Sequence, residues 1–86
     1  MDKLYFLNLV KSANLLFVAQ HLGNSVQIFD EQNLECVQNI KFGVNVHHFN
    51  IFKDFLYVGI GGFNLNVYLK KDEKTYFEEP CYVQKT

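Results

Sequence analysis

Arginine and tryptophan are absent from this 86-residue sequence, and proline occurs once, at Pro80. All eight basic residues are therefore lysines, and the formal net charge is −1. Domains that bind nucleic acid rely on arginine and on a strong basic excess, so we expect no nucleic-acid partner. Tryptophan and arginine are also favoured anchors of protein interfaces. Any binding surface must therefore be built from Phe, Tyr, His and Leu.

Cysteine is scarce, and long apolar runs are lacking. The two cysteines, Cys36 and Cys81, lie in no CxxC motif, which favours free thiols in a reducing compartment. No apolar run reaches the about 18–20 residues of a membrane span. The N-terminal segment has no small-residue cleavage site of a signal peptide. We therefore expect a cytoplasmic or otherwise intracellular protein that does not enter a membrane.

Short strand-forming segments make up the rest of the sequence. Hydrophobic residues account for 49% of the chain and aromatics for 16%, and apolar positions alternate or run continuously over short stretches bounded by Gly, Asn, Asp and Lys turns. No segment shows a sustained 3.6-residue apolar period, so no helix is expected. The pattern predicts an all-β fold with eight strands, at residues 4–10, 15–20, 25–29, 34–42, 46–51, 55–60, 65–69 and 75–83.

The order of strands and turns repeats after about 40 residues. Residues 15–20, LLFVAQ, match residues 55–60, FLYVGI, position by position, and residues 25–29 match residues 65–69. A period of this length with four short antiparallel strands per unit is typical of a β-propeller blade. We predict one unit over residues 1–86, with one blade at about 4–42 and the next at about 46–83. The alternative is a single eight-stranded meander or sandwich that is only superficially periodic.

The stretch LLFVAQHLGNSVQIFDEQNLECVQNIKFG, residues 15–43, resembles the propeller repeats of the WD-repeat and YVTN-like type. In those repeats a strand is followed by a turn rich in Gly and Asn, a strand of alternating apolar residues, and an outer strand. Phe29-Asp30 resembles the Trp-Asp pair that closes the third strand of a WD repeat. The resemblance implies a rigid platform for protein partners, which is what most such propellers are; the enzymatic ones carry their chemistry in specific loop residues.

Two blades do not close a propeller, which typically has about four to eight. Blades of this kind cannot bury their flat faces alone. The chain is then a piece of a longer propeller, a unit that assembles with copies of itself as a homo-oligomer, or a marginal two-blade stack. We favour the first, an incomplete propeller whose partners include further blades, and expect the chain by itself to be oligomeric or prone to aggregate.

Blade geometry sorts the turns onto two edges. One edge collects nearly all the charged turn residues, such as Asp30, Glu31 and those of residues 70–74. The other edge carries no formal charge. Desolvating it costs less, and its apolar side chains gain most from contact, so it is the predicted binding surface for a protein partner; the alternative is that these are ordinary turn residues. The predicted contact residues are His21, Leu22, Asn24, Phe42, Asn45, Phe63 and Asn64.

No other cluster of residues indicates chemistry. His47 and His48 are adjacent in a predicted strand and would point to opposite faces, so they cannot bind one metal ion. The neighbouring carboxylates at residues 72–73 and 78–79 lie on edges and turns, away from the buried surroundings that acid–base catalysis needs. We therefore expect a non-catalytic protein–protein interaction scaffold without metal or cofactor. The alternative is a propeller that binds a small molecule or carbohydrate and is assembled from identical two-blade chains.

Overall fold

The computed structural model describes residues 6–20 and 23–85, and within them it is all-β. The strands are β1 (Phe6–Ser12), β2 (Leu15–Gln20), β3 (Ser25–Asp30), β4 (Cys36–Lys41), β5 (Val46–Phe52), β6 (Phe55–Ile60), β7 (Asn64–Leu69) and β8 (Tyr82–Gln84). They form two four-stranded antiparallel sheets, ordered β1-β2-β3-β4 and β5-β6-β7-β8. The predicted fold class is thus confirmed at this level. Positions 4 and 5 of the first predicted strand lie outside the described residues.

The strand pairing repeats along the chain with the same period as the sequence. Val10 pairs with Phe17 in the first sheet, and Asn50 pairs with Tyr57 about 40 residues later in the second. The first strand of each sheet also carries a β-bulge at the same place, between residues 6 and 8 and between residues 46 and 48. Over the first two strands of each sheet, the repeat read from the sequence is therefore also a repeat of backbone geometry.

The tight turn between the first two strands of each sheet repeats as well. Ala13 has a φ of 54° and Lys53 a φ of 55°, and the two residues occupy equivalent positions. This left-handed conformation costs an L-residue about 1–2 kcal/mol, because Cβ crowds the following carbonyl. Both turns therefore keep the same strained backbone although neither has glycine at that position.

The two sheets pack together through one face each, called here the inner faces. In the first sheet Phe17 and Ile28 lie opposite each other and point inward. In the second sheet Leu56 and Val58 point inward, and Tyr57, the repeat equivalent of Phe17, points away. The two sheets therefore use opposite faces of the repeat. The buried core comprises Leu15, Phe17, Ala19, Val26, Ile28, Ile40, Phe42, Val46, Phe49, Leu56, Val58, Tyr68 and Tyr76.

The prediction of a strand over residues 75–83 is wrong for most of its length, since β8 spans only Tyr82–Gln84. Phe77 N–H donates to the Leu69 carbonyl and Cys81 N–H to the Val67 carbonyl, so pairing with β7 is interrupted by an excursion of residues 78–80. Proline has no backbone N–H to donate, which explains why the ladder breaks next to Pro80.

The segment that precedes this excursion joins the two sheets. Tyr76 forms an isolated bridge with Lys70, and its ring lies edge-on to that of Phe17 with 5.8 Å between centroids. The Gln38 side chain in β4 donates to the Tyr76 carbonyl and accepts from the Tyr76 N–H, both at 2.7 Å. A side chain of the first sheet thus supplies the hydrogen-bond partners for the backbone N–H and carbonyl of Tyr76, which follows β7 of the second sheet.

Candidate interaction surface

The turns fall on two edges of the molecule, as predicted, and backbone hydrogen bonds connect them on each edge. On one edge Phe42 N–H donates to the Asn24 carbonyl at 2.7 Å and Val46 N–H to the Gly23 carbonyl at 2.9 Å. Gly61 N–H donates to the Asn45 carbonyl at 3.1 Å. Residues 23–24, 42–45 and 61–64 thus form one connected surface. We call it the uncharged edge, since none of these residues carries a formal charge.

Phe63 is the most exposed large apolar residue of the uncharged edge. Its side chain is 84% exposed. It follows Gly61 and Gly62, which have φ values of +27° and +67°, a conformation that L-residues with side chains rarely adopt. A Cβ on Gly61 would also come within 2.9 Å of Val44 Cγ2. Glycine at 61 therefore allows the turn that carries Phe63 to lie directly against Val44.

Val44 was missed by sequence reasoning. It lies between Gly43 and Asn45 in the turn that connects the sheets, and its side chain is 45% exposed. An apolar residue in a turn otherwise made of Gly and Asn was the available signal. Val44 and Phe63 give the uncharged edge two exposed apolar groups, with the exposed polar side chains of Asn24 and Asn45 on the same edge.

Phe42 does not lie on the exposed surface, contrary to the prediction. Only 7% of it is exposed, and its ring lies edge-on to that of Tyr68 in the other sheet, at 6.0 Å between centroids. Two residues earlier, Ile40 is also buried, so Phe42 continues the inward alternation of β4 past the strand end. Its backbone belongs to the uncharged edge, but its side chain belongs to the core.

The remaining predicted contact residues differ in position. Asn24 and Asn45 are exposed turn residues, and Asn64 is half-buried at the start of β7. His21 and Leu22 lie outside the described residues. The structure therefore brings Asn24, Asn45 and Phe63 together on one exposed surface.

The opposite edge, called here the charged edge, is held together by ion pairs as well as by backbone bonds. Lys11 pairs with Glu31 at 2.8 Å, and Lys74 pairs with Asp30 at 2.7 Å. Asp30, the residue in the position of the Trp-Asp pair, is buried and also accepts from the Gln32 N–H. The hydrogen bond from Lys74, followed by that from Gln32, lowers the pKa of the Asp30 carboxyl, and the same pairing raises the pKa of Lys74.

A groove of about 470 Å³ lies along β4. Its lining is Val37, Gln38, Asn39, Ile40, Lys41 and Glu78. Gln38 is already engaged with the backbone of Tyr76. The lining offers one carboxylate and one ammonium group, with no nucleophile beside a base. This arrangement matches no catalytic site.

Residues 6–20 and 23–85 contain neither a candidate metal site nor a candidate membrane-spanning helix. No group of three or more His, Cys, Asp or Glu side chains is placed to hold a metal ion there. His47 and His48 are both exposed. The same part of the chain contains no helix that is long and apolar enough to cross a membrane. Comparison with protein-family models, with curated proteins and with solved structures finds no match to this chain.

Proposed function

We propose that this chain is a non-catalytic protein-interaction module of the β-propeller type, with two blades and a partner-binding surface on the uncharged edge. The blade assignment is supported by the repeated register and bulge of the two sheets. It is also supported by the close approach of the first strands of the sheets, β1 and β5, whose Cα atoms come within 8 Å of each other. Propeller blades converge at their first strands in this way around a central axis.

The observation that carries the partner-binding proposal is the exposure of Phe63 on a turn with a fixed backbone. A Phe side chain gains roughly 1.5–3 kcal/mol when it is fully removed from water. The Gly61–Asn45 hydrogen bond holds the turn before binding, so little conformational entropy is lost on contact. The surrounding Asn side chains and the absence of formal charge on this edge suit the core and rim of a protein interface.

The test compares two substitutions of exposed apolar residues on opposite edges. Phe63→Ser removes the proposed anchor, and Leu34→Ser is the matched control because Leu34 is 66% exposed in the turn after β3, on the charged edge. Immobilised wild type and both variants are used to capture proteins from a cell extract, with quantification by mass spectrometry. The proposal expects a defined set of proteins retained by wild type and Leu34→Ser and lost with Phe63→Ser. Equal retention by all three would overturn it.

A further inference from the structure

Each sheet has a second face that points away from the core, called here its outer face. Because the strands repeat, the residues of each outer face are equivalent to those of the other sheet's inner face. On the second sheet this outer face is built around half-buried or buried apolar residues, Phe55, Tyr57, Leu65, Val67 and Leu69. On the first sheet it contains the half-buried residues Leu16, Val18 and Phe29, with Lys11 and Gln27 beside them. Strands β5 to β8 contain no Asp, Glu or Lys, and the charged residues Lys71, Glu78 and Glu79, which line a cavity together with Leu69, lie outside these strands.

The outer face of the second sheet is the repeat equivalent of the inner face of the first. Leu15, Phe17 and Ala19 on β2 correspond to Phe55, Tyr57 and Gly59 on β6, and by strand register Val26 and Ile28 on β3 correspond to Leu65 and Val67 on β7. In the structure, the face made by the β2 and β3 residues is completely covered by the second sheet. The equivalent face of the second sheet therefore has the shape and composition of one that accepts a sheet.

The surface that covers the first sheet also has an equivalent within this chain. The inner face of the second sheet presents Leu56 and Val58, whose equivalents on β2 are Leu16 and Val18, on the outer face of the first sheet. The outer face of the second sheet thus corresponds to the face that is covered inside the chain. The outer face of the first sheet corresponds to the face that covers it. Equivalents of both inner faces that pack together within the chain therefore lie at its two ends. The occupant that fits them is a second copy of this chain.

The geometry points to head-to-tail stacking of this chain on itself, with the outer face of the first sheet of one copy packed on the outer face of the second sheet of the next. The contact continues the sheet-on-sheet contact within the chain and does not involve Phe63, so it stands apart from the partner binding proposed above. Such an interface joins two different patches and closes into a ring when the rotation per copy allows. A propeller of about four to eight blades corresponds to roughly two to four copies.

Two complementary variants test this arrangement by sedimentation velocity of the full chain. Tyr57→Glu blocks the second sheet's outer face, and Val18→Glu blocks the first sheet's. Wild type should associate, and each variant alone should do so about 100-fold more weakly, because the interface would bury an unpaired carboxylate. An equimolar mixture should form a one-to-one dimer and nothing larger, since one intact face of each kind remains. Leu34→Glu, on the charged edge, is the control and should associate like wild type.

Three outcomes of the sedimentation experiment would overturn head-to-tail stacking. Monomeric wild type at every concentration would show that the outer faces stay open or take a different partner. Assembly of Tyr57→Glu or Val18→Glu alone, with an affinity equal to that of wild type, would show that like faces pair or that association uses another surface. A mixture that remains monomeric while each variant is folded by circular dichroism would exclude the complementary pairing.

Discussion

Ala13 shows how a single residue can lie in an unfavourable backbone conformation because the fold requires the turn. Its φ of 54° suits glycine better than alanine. We expect Ala13→Gly to raise the free energy of unfolding by about 1 kcal/mol, since the left-handed penalty exceeds the extra entropy that glycine loses on folding. Urea denaturation checks this, with Ala19→Gly as the control that should destabilise, because Ala19 is buried within β2. An unchanged or lower stability for Ala13→Gly would contradict the turn geometry.

The Asp30–Lys74 pair gives stability a defined pH dependence at the residue scale. The pKa of Asp30 is lowered in the folded protein, chiefly by the Lys74 hydrogen bond. Its contribution is therefore present above the unfolded pKa of about 3.9 and is lost as pH falls through the folded value. The pKa of Lys74 is raised, so its contribution is present below about 10.4 and is lost as pH rises through the folded value.

Asp30→Asn should therefore unfold at lower urea than wild type at pH 7, and the difference should shrink as the pH is lowered below about 4. Asp72→Asn is not a suitable control at pH 7, because the Asp72 carboxylate accepts hydrogen bonds from Lys74 N–H and Thr75 N–H. Glu78→Gln is the better control, since the Glu78 side chain is exposed, whereas Glu35 itself acts on the Lys74 ammonium group. A pH-independent difference between wild type and Asp30→Asn would show that the Lys74 pair does not contribute to stability.

At the scale of elements, the segment around Tyr76 joins the sheets through Gln38. Gln38→Ala would leave the backbone N–H and carbonyl of Tyr76 without their partners in a half-buried place, at a cost of about 1–3 kcal/mol. Gln38→Glu retains the acceptor but places a carboxylate oxygen against the Tyr76 carbonyl, so it should also destabilise at pH 7. Chemical denaturation measures the series, with Gln32→Ala, an exposed glutamine, as the matched control. Equal stability of Gln38→Ala and Gln32→Ala would mean that the segment is not held to β4.

Sequence patterns identified most elements because local alternation and turn residues determine them. The strands from β2 to β7 and the repeat were predictable, as was the sorting of the turns onto a charged and an uncharged edge. What could not be predicted depends on packing between the sheets. The burial of Phe42 requires Tyr68 opposite it, and the departure of Tyr76 from the outer strand requires Gln38 and Phe17. These partners are distant in sequence, and no local pattern indicates them.

At the scale of the whole molecule, the two sheets are successive copies of one unit that stack in a single direction. The inner face of the first sheet meets the non-equivalent face of the second, which leaves two different apolar faces at the ends. A chain of 86 residues buries only about 60–65% of the surface that its unfolded form exposes. Covering those faces would therefore add stability that the sheets do not gain from their single contact, which connects the proposed stacking to the limited core.

Both proposals depend on the face-to-face packing of the two sheets, and ring-to-ring nuclear Overhauser effects test that packing most directly. The structure predicts cross-peaks between Phe17 and Tyr76 and between Phe42 and Tyr68, whose ring centroids are 5.8 and 6.0 Å apart. The pair Phe55 and Tyr57, both in β6 and 6.3 Å apart, is the internal control. Observation of all three confirms the stacked sheets. A spectrum with the Phe55–Tyr57 cross-peak but neither of the others would contradict them.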